Sequence, residues 1–215
     1  MKSTSKPKPL RGRESVKAAL IKAAGELLAE IGPNAMSVRD VAELAGVNHG
    51  QVHHYFNGKA GLLKAAMHQL ALDHYKNSRA RSGSQSIPKG FTLGLDATYV
   101  KAVVRLVIDD ELELATREIH DGISVPRDVT SYIIESTDPA QVVDGKAAMA
   151  AMMSMELAWA LLEPYILMQV DASTEEAEPI RERLRQVRRS IPQLLGVKVP
   201  QYADTAPTDP DTPAS

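Results

Sequence analysis

The 215-residue chain contains no cysteine. A disulfide framework, a thiolate metal site and a thiol nucleophile are therefore excluded. Aromatics are scarce, at two Phe, one Trp and six Tyr. Ala, Leu, Val and Met supply the apolar content instead, which favours helices over strands. No apolar run is long enough for a membrane span, because the stretch Ala147 to Leu162 has 16 residues and contains Glu156. The basic start MKSTSKPKPLRGR is followed by no apolar segment, so no signal peptide and no membrane partner are expected, and the expected location is cytoplasmic. The phosphate-cradling, dinucleotide, nucleophile-elbow and zinc-protease motifs are missing too, and no enzyme is expected. The carboxylates Asp109, Asp110, Glu111 and Glu113 lack histidines at di-iron spacing, since Arg117 stands where His120 would need a glutamate.

What is present suffices for a core. Hydrophobic residues make up 44 % of the chain, and the length suits one large domain or a small domain with a larger one. The net charge of −2 hides an asymmetry. Residues 1–64 hold ten Lys/Arg against five Asp/Glu, whereas residues 65–215 hold fifteen against twenty-two. A basic front and an acidic rear point to a polyanion met only by the front.

The pattern predicts an all-α chain. Residues 1–12 read as a flexible basic arm. A helix follows over residues 13–31, with Val16, Leu20, Ala23, Leu27 and Ile31 as its apolar stripe, and Gly32-Pro33 stops it. Ser37 and Asp40 form a capping-box pair for a second helix that ends at Ala45-Gly46 after two turns, its buried face being Val38, Val41, Ala42 and Ala45. Asn48 caps a third helix with Gln51 at its third position. A fourth helix is expected over 58–78, a loop or junction over 79–95, and further helices over 96–120, 127–136, 140–162 and 175–195. Glu163-Pro164 is expected to break the long one, with 165–170 starting a new direction. The tail 200–215, rich in Pro, Asp and Thr, is expected to be disordered.

Two short helices joined at Gly46 form a helix-turn-helix. Val47 and Val52 must face inward to hold the pair together. At 100° per residue from Val52, Gly50 and His54 point most nearly outward, flanked by Gln51 and His53, with His49 partly outward. That polar face suits a major groove: Gln51 can pair with adenine through two hydrogen bonds, and His or Asn can reach guanine, adenine or phosphate. The helix starts at Ser37 and Gly58 offer N–H groups to phosphates, and Lys59 adds a charge.

The segment S37-V-R-D-V-A-E-L-A-G46-V47 followed by N48-H-G-Q-V-H-H-Y55-F56-N-G-K59-A-G-L-L63 resembles the TetR family of transcriptional regulators over residues 13–63. The resemblance implies DNA contacts from Ser37, Arg39, Asn48, His49, Gly50, Gln51, His53, Tyr55 and Lys59. His53 stands where the family usually has a tyrosine that touches the backbone. It also implies a larger helical domain that binds a small effector and forms a homodimer. The expected organisation is a reading domain over 13–60, an effector-binding and dimerisation domain over 61–198, and a tail from 199.

Other features carry competing readings. His49 and His53 have the spacing of two metal ligands, but no nearby acidic residue completes a site, so neither a metal nor a cofactor is expected. Lys2, Lys6, Lys8, Arg11 and Arg13 fit either a DNA-following arm or a solubilising tail. Met149, Met152, Met153 and Met155 with Trp159 fit an adaptable apolar effector pocket, with His120, Tyr132 and Glu156 as polar contacts, or ordinary core packing. The helix holding Ala147 to Leu162 should be buried on every side. Five arginines between 181 and 189 are interleaved with glutamates and read as a solvated face. The functional expectation is a repressor on a near-palindromic operator, released by an apolar effector. The alternatives are an all-α ligand-binding protein, or an activator.

Overall fold

The computed structural model describes residues 12–83, 93 and 96–197. Among them every regular element is helical. The expectations for the arm 1–11, for the tail from 199 and for most of the junction 79–95 lie outside the described residues.

Helix α1 spans Arg13–Ala35, α2 Val38–Leu44, α3 Gly50–Phe56 and α4 Lys59–Arg81. In α1, Gly32 leaves the helical conformation and one more turn carries on to Ala35. Its buried face runs through Leu20, Ala23, Ala24 and Leu28, while Leu27 is half-buried and Ile31 is exposed. The expected stripe was therefore rotated by one residue at its C-terminal end, because α1 is covered from two sides, by α4 and α5.

The turn between α2 and α3 needs its glycine. Gly46 adopts φ 66, its N–H donates to the Glu43 carbonyl at 3.0 Å, and the Val47 N–H donates to Ala42 at 2.9 Å. This paired closure requires a left-handed residue after the helix, and it turns Val47 back onto the core. Val52 of α3 is 0 % exposed, as the helix-turn-helix reading demanded.

Where one helix was expected over 96–120, three occur: α5 (Ala97–Ile108), α6 (Leu112–Ala115) and α7 (Arg117–His120). The same left-handed closure ends α5, but Asp110 provides it at φ 63, with Glu111 N–H on the Leu106 carbonyl at 2.8 Å and Asp110 N–H on Val107 at 3.3 Å. An aspartate in this place gives a far weaker sequence signal than glycine.

Helix α8 spans Val125–Glu135, a 3-10 turn covers Pro139–Gln141, α9 runs Val142–Gln169 and α10 Ala177–Leu194. Pro164 does not break α9: the helix passes through it, and residues 165–169 continue the same element. Its neighbour Glu163 is tied to α10 by Arg181 at 2.5 Å, which braces the turn that lacks a backbone hydrogen bond. Nor is α9 buried all round within one chain. Gly145, Ala148, Met149, Met152, Glu156 and Trp159 are buried, whereas Ala147, Ala150, Ala151, Ser154, Ala158 and Leu162 are exposed.

Among the described residues two apolar cores result. One joins Leu20, Leu28, Val41, Val52, Leu62, Met67, Tyr99 and Leu106. The other gathers Val125, Val129, Ile133, Met149, Met152 and Val197. Arg105 donates to the Glu30 carbonyl at 3.1 Å, and Asp109 accepts from the Asn34 N–H at 3.1 Å. The end of α5 thereby grips the end of α1.

Candidate nucleic-acid interface

The reading unit is set by its caps. Ser37 Oγ accepts from the Asp40 N–H at 3.2 Å, and Asp40 accepts from the Ser37 N–H at 2.8 Å. Hydrogen bonding of the carboxylate by the Ser37 side chain and by the Ser37 N–H, helped by the positive charge of Lys59, holds the Asp40 carboxyl below its ordinary value. Lys59, at the start of α4, is thus electrostatically coupled to the start of α2. Asn48 Oδ1 accepts from the Gly50 N–H at 2.8 Å, so this side chain is engaged in capping α3. The regular helix itself begins one position later, after His49, which makes no side-chain capping bond.

On α3, His49, Gly50, His53 and His54 are exposed, while Gln51 and Tyr55 are half-buried. Asn57 ends the helix in the left-handed conformation and donates its N–H to His53 O at 3.1 Å. The α3–α4 corner then depends on close backbone approach, because a Cβ at Gly61 would overlap the Phe56 carbonyl oxygen. Ser37 and Arg39 lie exposed at the start of α2, and Lys59 is half-buried. One contact was not foreseen from the sequence. The Arg13 guanidinium lies 5.9 Å from the centre of the Tyr55 ring, and His54 packs edge-on against the same ring at 4.7 Å. The first residue of α1 is therefore pinned beside the end of α3.

The candidate effector residues divide. Met149 and Met152 are buried in the second core, with Met153 packed against it. Glu156 and Trp159 follow along the same buried side of α9. His120 lies exposed at the end of α7, and Tyr132 is half-buried on α8; neither belongs to that core. An open groove of about 500 Å³ lies elsewhere, between α1 and α4, lined by Glu14, Lys17, Ile21, Lys22, Leu70 and Asp73 among others. It contains none of the residues singled out for the effector.

A buried polar network also escaped sequence reasoning. Asp96 accepts from Arg81 at 2.6 Å and meets His74 Nδ1 at 3.0 Å. Burial pushes its carboxyl up, but these partners outweigh it and hold the group at about 2. His74 stacks on Tyr99 at 4.3 Å. The Tyr99 hydroxyl donates to Glu118, which also accepts from Ser124 at 2.7 Å. Burial, reinforced by the Glu118 charge, raises the Tyr99 phenol well above its ordinary value, so it stays a donor. The available signal was a set of polar residues, His74 and Ser78, recurring on the apolar side of α4.

Among the described residues, no three His, Asp or Glu side chains converge as a metal site would need. No helix there is long and apolar enough to cross a membrane.

A short helix with a polar outer face, held by a tight turn against a capped partner helix and mounted on a helical body, defines a helix-turn-helix DNA-binding regulator. The family of bacterial regulatory proteins named for TetR matches residues 20–66. The HTH-type transcriptional repressor Rv3405c of Mycobacterium tuberculosis is 27 % identical over 171 residues, covering 76 % of this chain and 82 % of that protein. A transcriptional regulator from Rhodococcus sp. Rha1 shares the fold, with TM-score 0.55, 20 % identity, and 89 % and 100 % of the two chains covered. The multidrug binding protein EbrR, solved with imidazole, does so with TM-score 0.50, 20 % identity and coverage of 92 % and 99 %. Residues 20–66 carry the helix-turn-helix region of the TetR family, and the chain is a DNA-binding transcriptional regulator of that type.

Proposed function

We propose that the chain is a homodimeric repressor, with residues 13–60 as reading domain and 61–198 as effector-binding and dimerisation domain. Two copies of α3 would enter successive major grooves of a near-palindromic operator, about 34 Å apart. The observation that carries this reading is the composition of α3: one side chain, Val52, is fully buried, leaving Gln51, His53 and His54 on the side away from the core. Gln51 and His53 would read base edges, while Ser37, Arg39, Tyr55 and Lys59 would meet phosphates. His49 and Gly50 would lie at the closest approach. Asn48 would act mainly by holding the α3 entry.

The exposed Ala147, Ala151, Ser154 and Ala158 of α9 support the homodimer, since small side chains let two helices approach closely and apolar neighbours are left uncovered. A small effector bound beside Met149, Met152, Met153, Glu156 and Trp159 would favour a different spacing of the reading domains and release DNA. The repressor named among the relatives and the multidrug binding protein of like fold are in keeping with this. His120 and Tyr132 would contribute only at the margin of such a site.

The deciding experiment selects genomic fragments with the purified protein at about 150 mM salt, then measures the recovered motif. Gln51→Ala with His53→Ala should lower affinity for that motif more than about a hundredfold while leaving helicity and melting unchanged. Retained affinity would exclude α3 as the reading element. Recovery of no motif would favour a helical ligand-binding protein.

A further inference from the structure

We propose that Glu156 and Trp159 form the recognition pair for an apolar organic monocation; this names the ligand class of the effector site and rests on that reading of it. Among the described residues three carboxylate side chains are buried, and their partners differ. Asp96 has Arg81 and His74, and Glu118 has two hydroxyl donors, Tyr99 and Ser124. Glu156, 5 % exposed, has a single hydrogen bond, from the Leu93 N–H to Oε2 at 2.9 Å. Among the described residues no cationic group pairs with it within 4.0 Å. A buried carboxylate answered by one neutral amide is a poor element of a core, and an apolar residue there would pack better.

One turn further along the same buried side of α9, Trp159 is 4 % exposed, and its indole Nε1 has no hydrogen-bond partner. Two polar groups one turn apart are thus incompletely satisfied on α9, the helix that also buries Met149 and Met152 and packs Met153 against the second core. A cation with apolar substituents answers this set. Its charge would neutralise Glu156, the indole face would stabilise it, and the polarisable thioethers would pack its substituents. An acceptor atom on such a ligand would take the indole N–H. An anion would be repelled by Glu156, and a neutral ligand would leave its charge uncompensated. The acidic excess of residues 65–215, twenty-two Asp/Glu against fifteen Lys/Arg, steers cations toward this half of the chain.

Trp159 is the only tryptophan, so its emission reports on the site directly. The test titrates the full-length protein, without DNA, with tetraphenylphosphonium and with tetraphenylborate, which share a shape and differ in the sign of charge. The phosphonium should change the Trp159 emission saturably, with an affinity at least about tenfold tighter than the borate. In Glu156→Gln the amide oxygen still accepts from Leu93 while the charge is gone, and the preference should fall below about threefold. Unliganded melting of that variant should hold or rise. Equal or tighter binding of the borate to the wild type would overturn the proposal. So would a wild-type preference in Glu156→Gln, or neither an emission change nor a melting shift with the phosphonium. If the variant does not fold, the pair of ions on the wild type decides alone. A protein that binds the phosphonium through Glu156 yet keeps its DNA would overturn release by the effector and leave the site standing.

Discussion

Asp96 shows how much one side chain can organise. It joins α4 to the start of α5 through Arg81, His74 and Asn77. Its carboxyl is held at about 2 against an ordinary 3.8, so as pH falls the unfolded chain takes up the proton first. The stabilisation is therefore complete above about pH 4 and is lost between about pH 4 and 2. Asp96→Asn should lower the melting temperature at pH 7 and flatten its fall across that acid range. Acid melting curves that stay parallel to the wild type would show that Asp96 does not carry the effect. The single-residue determinants of the reading unit are of another kind, since Gly46 and Gly61 act through what they lack. One allows the left-handed turn, and the other lets α4 pass the Phe56 carbonyl.

At the scale of elements, α9 departs most from expectation. Proline removes the N–H that would bond Ala160, and this suggested a break, yet the helix runs on to Gln169. Tertiary contacts supply what the backbone loses, above all the Glu163–Arg181 pair and the packing of α10. Pro164 is exposed, so Pro164→Ala meets no steric obstacle and restores the missing donor. It should raise the melting temperature, with an increment of up to about 3 kcal/mol. A fall in melting temperature would mean that the proline ring sets a bend that α10 needs. The split of the expected 96–120 helix has the same lesson in reverse, since Asp110 adopts a conformation that its identity only weakly suggests.

For the whole molecule, the main consequence is the face left open on α9 and α10. Val143 is 75 % and Met168 77 % exposed, with Leu162, Tyr165 and Leu194 also uncovered. Such a patch on a single chain is what a second copy would cover. Ala151→Arg places a long charged side chain on this face without touching the core of the chain. For the proposed homodimer, sedimentation should then show a shift from dimer to monomer at unchanged helicity. Affinity for DNA with two half-sites should fall more than affinity for a single half-site. A wild type that sediments as a monomer at high concentration would exclude this mode of assembly.

The sequence by itself determined the class and the reading unit. Those features are local: a Ser37–Asp40 cap, a Gly46 turn, an Asn48 cap and a helical period that sends Val52 inward all act over spans of a few residues. Residue identity at short range therefore specifies both the backbone and the face presented. Only the tertiary structure decided what depends on distant partners. It showed which side of α9 is covered, why Pro164 is tolerated, that Arg13 meets Tyr55, and that Asp96 finds Arg81 and His74. It also showed that Glu156 is buried with a single amide donor. Burial and pairing of a charged group depend on what packs against it, and no short-range pattern encodes that.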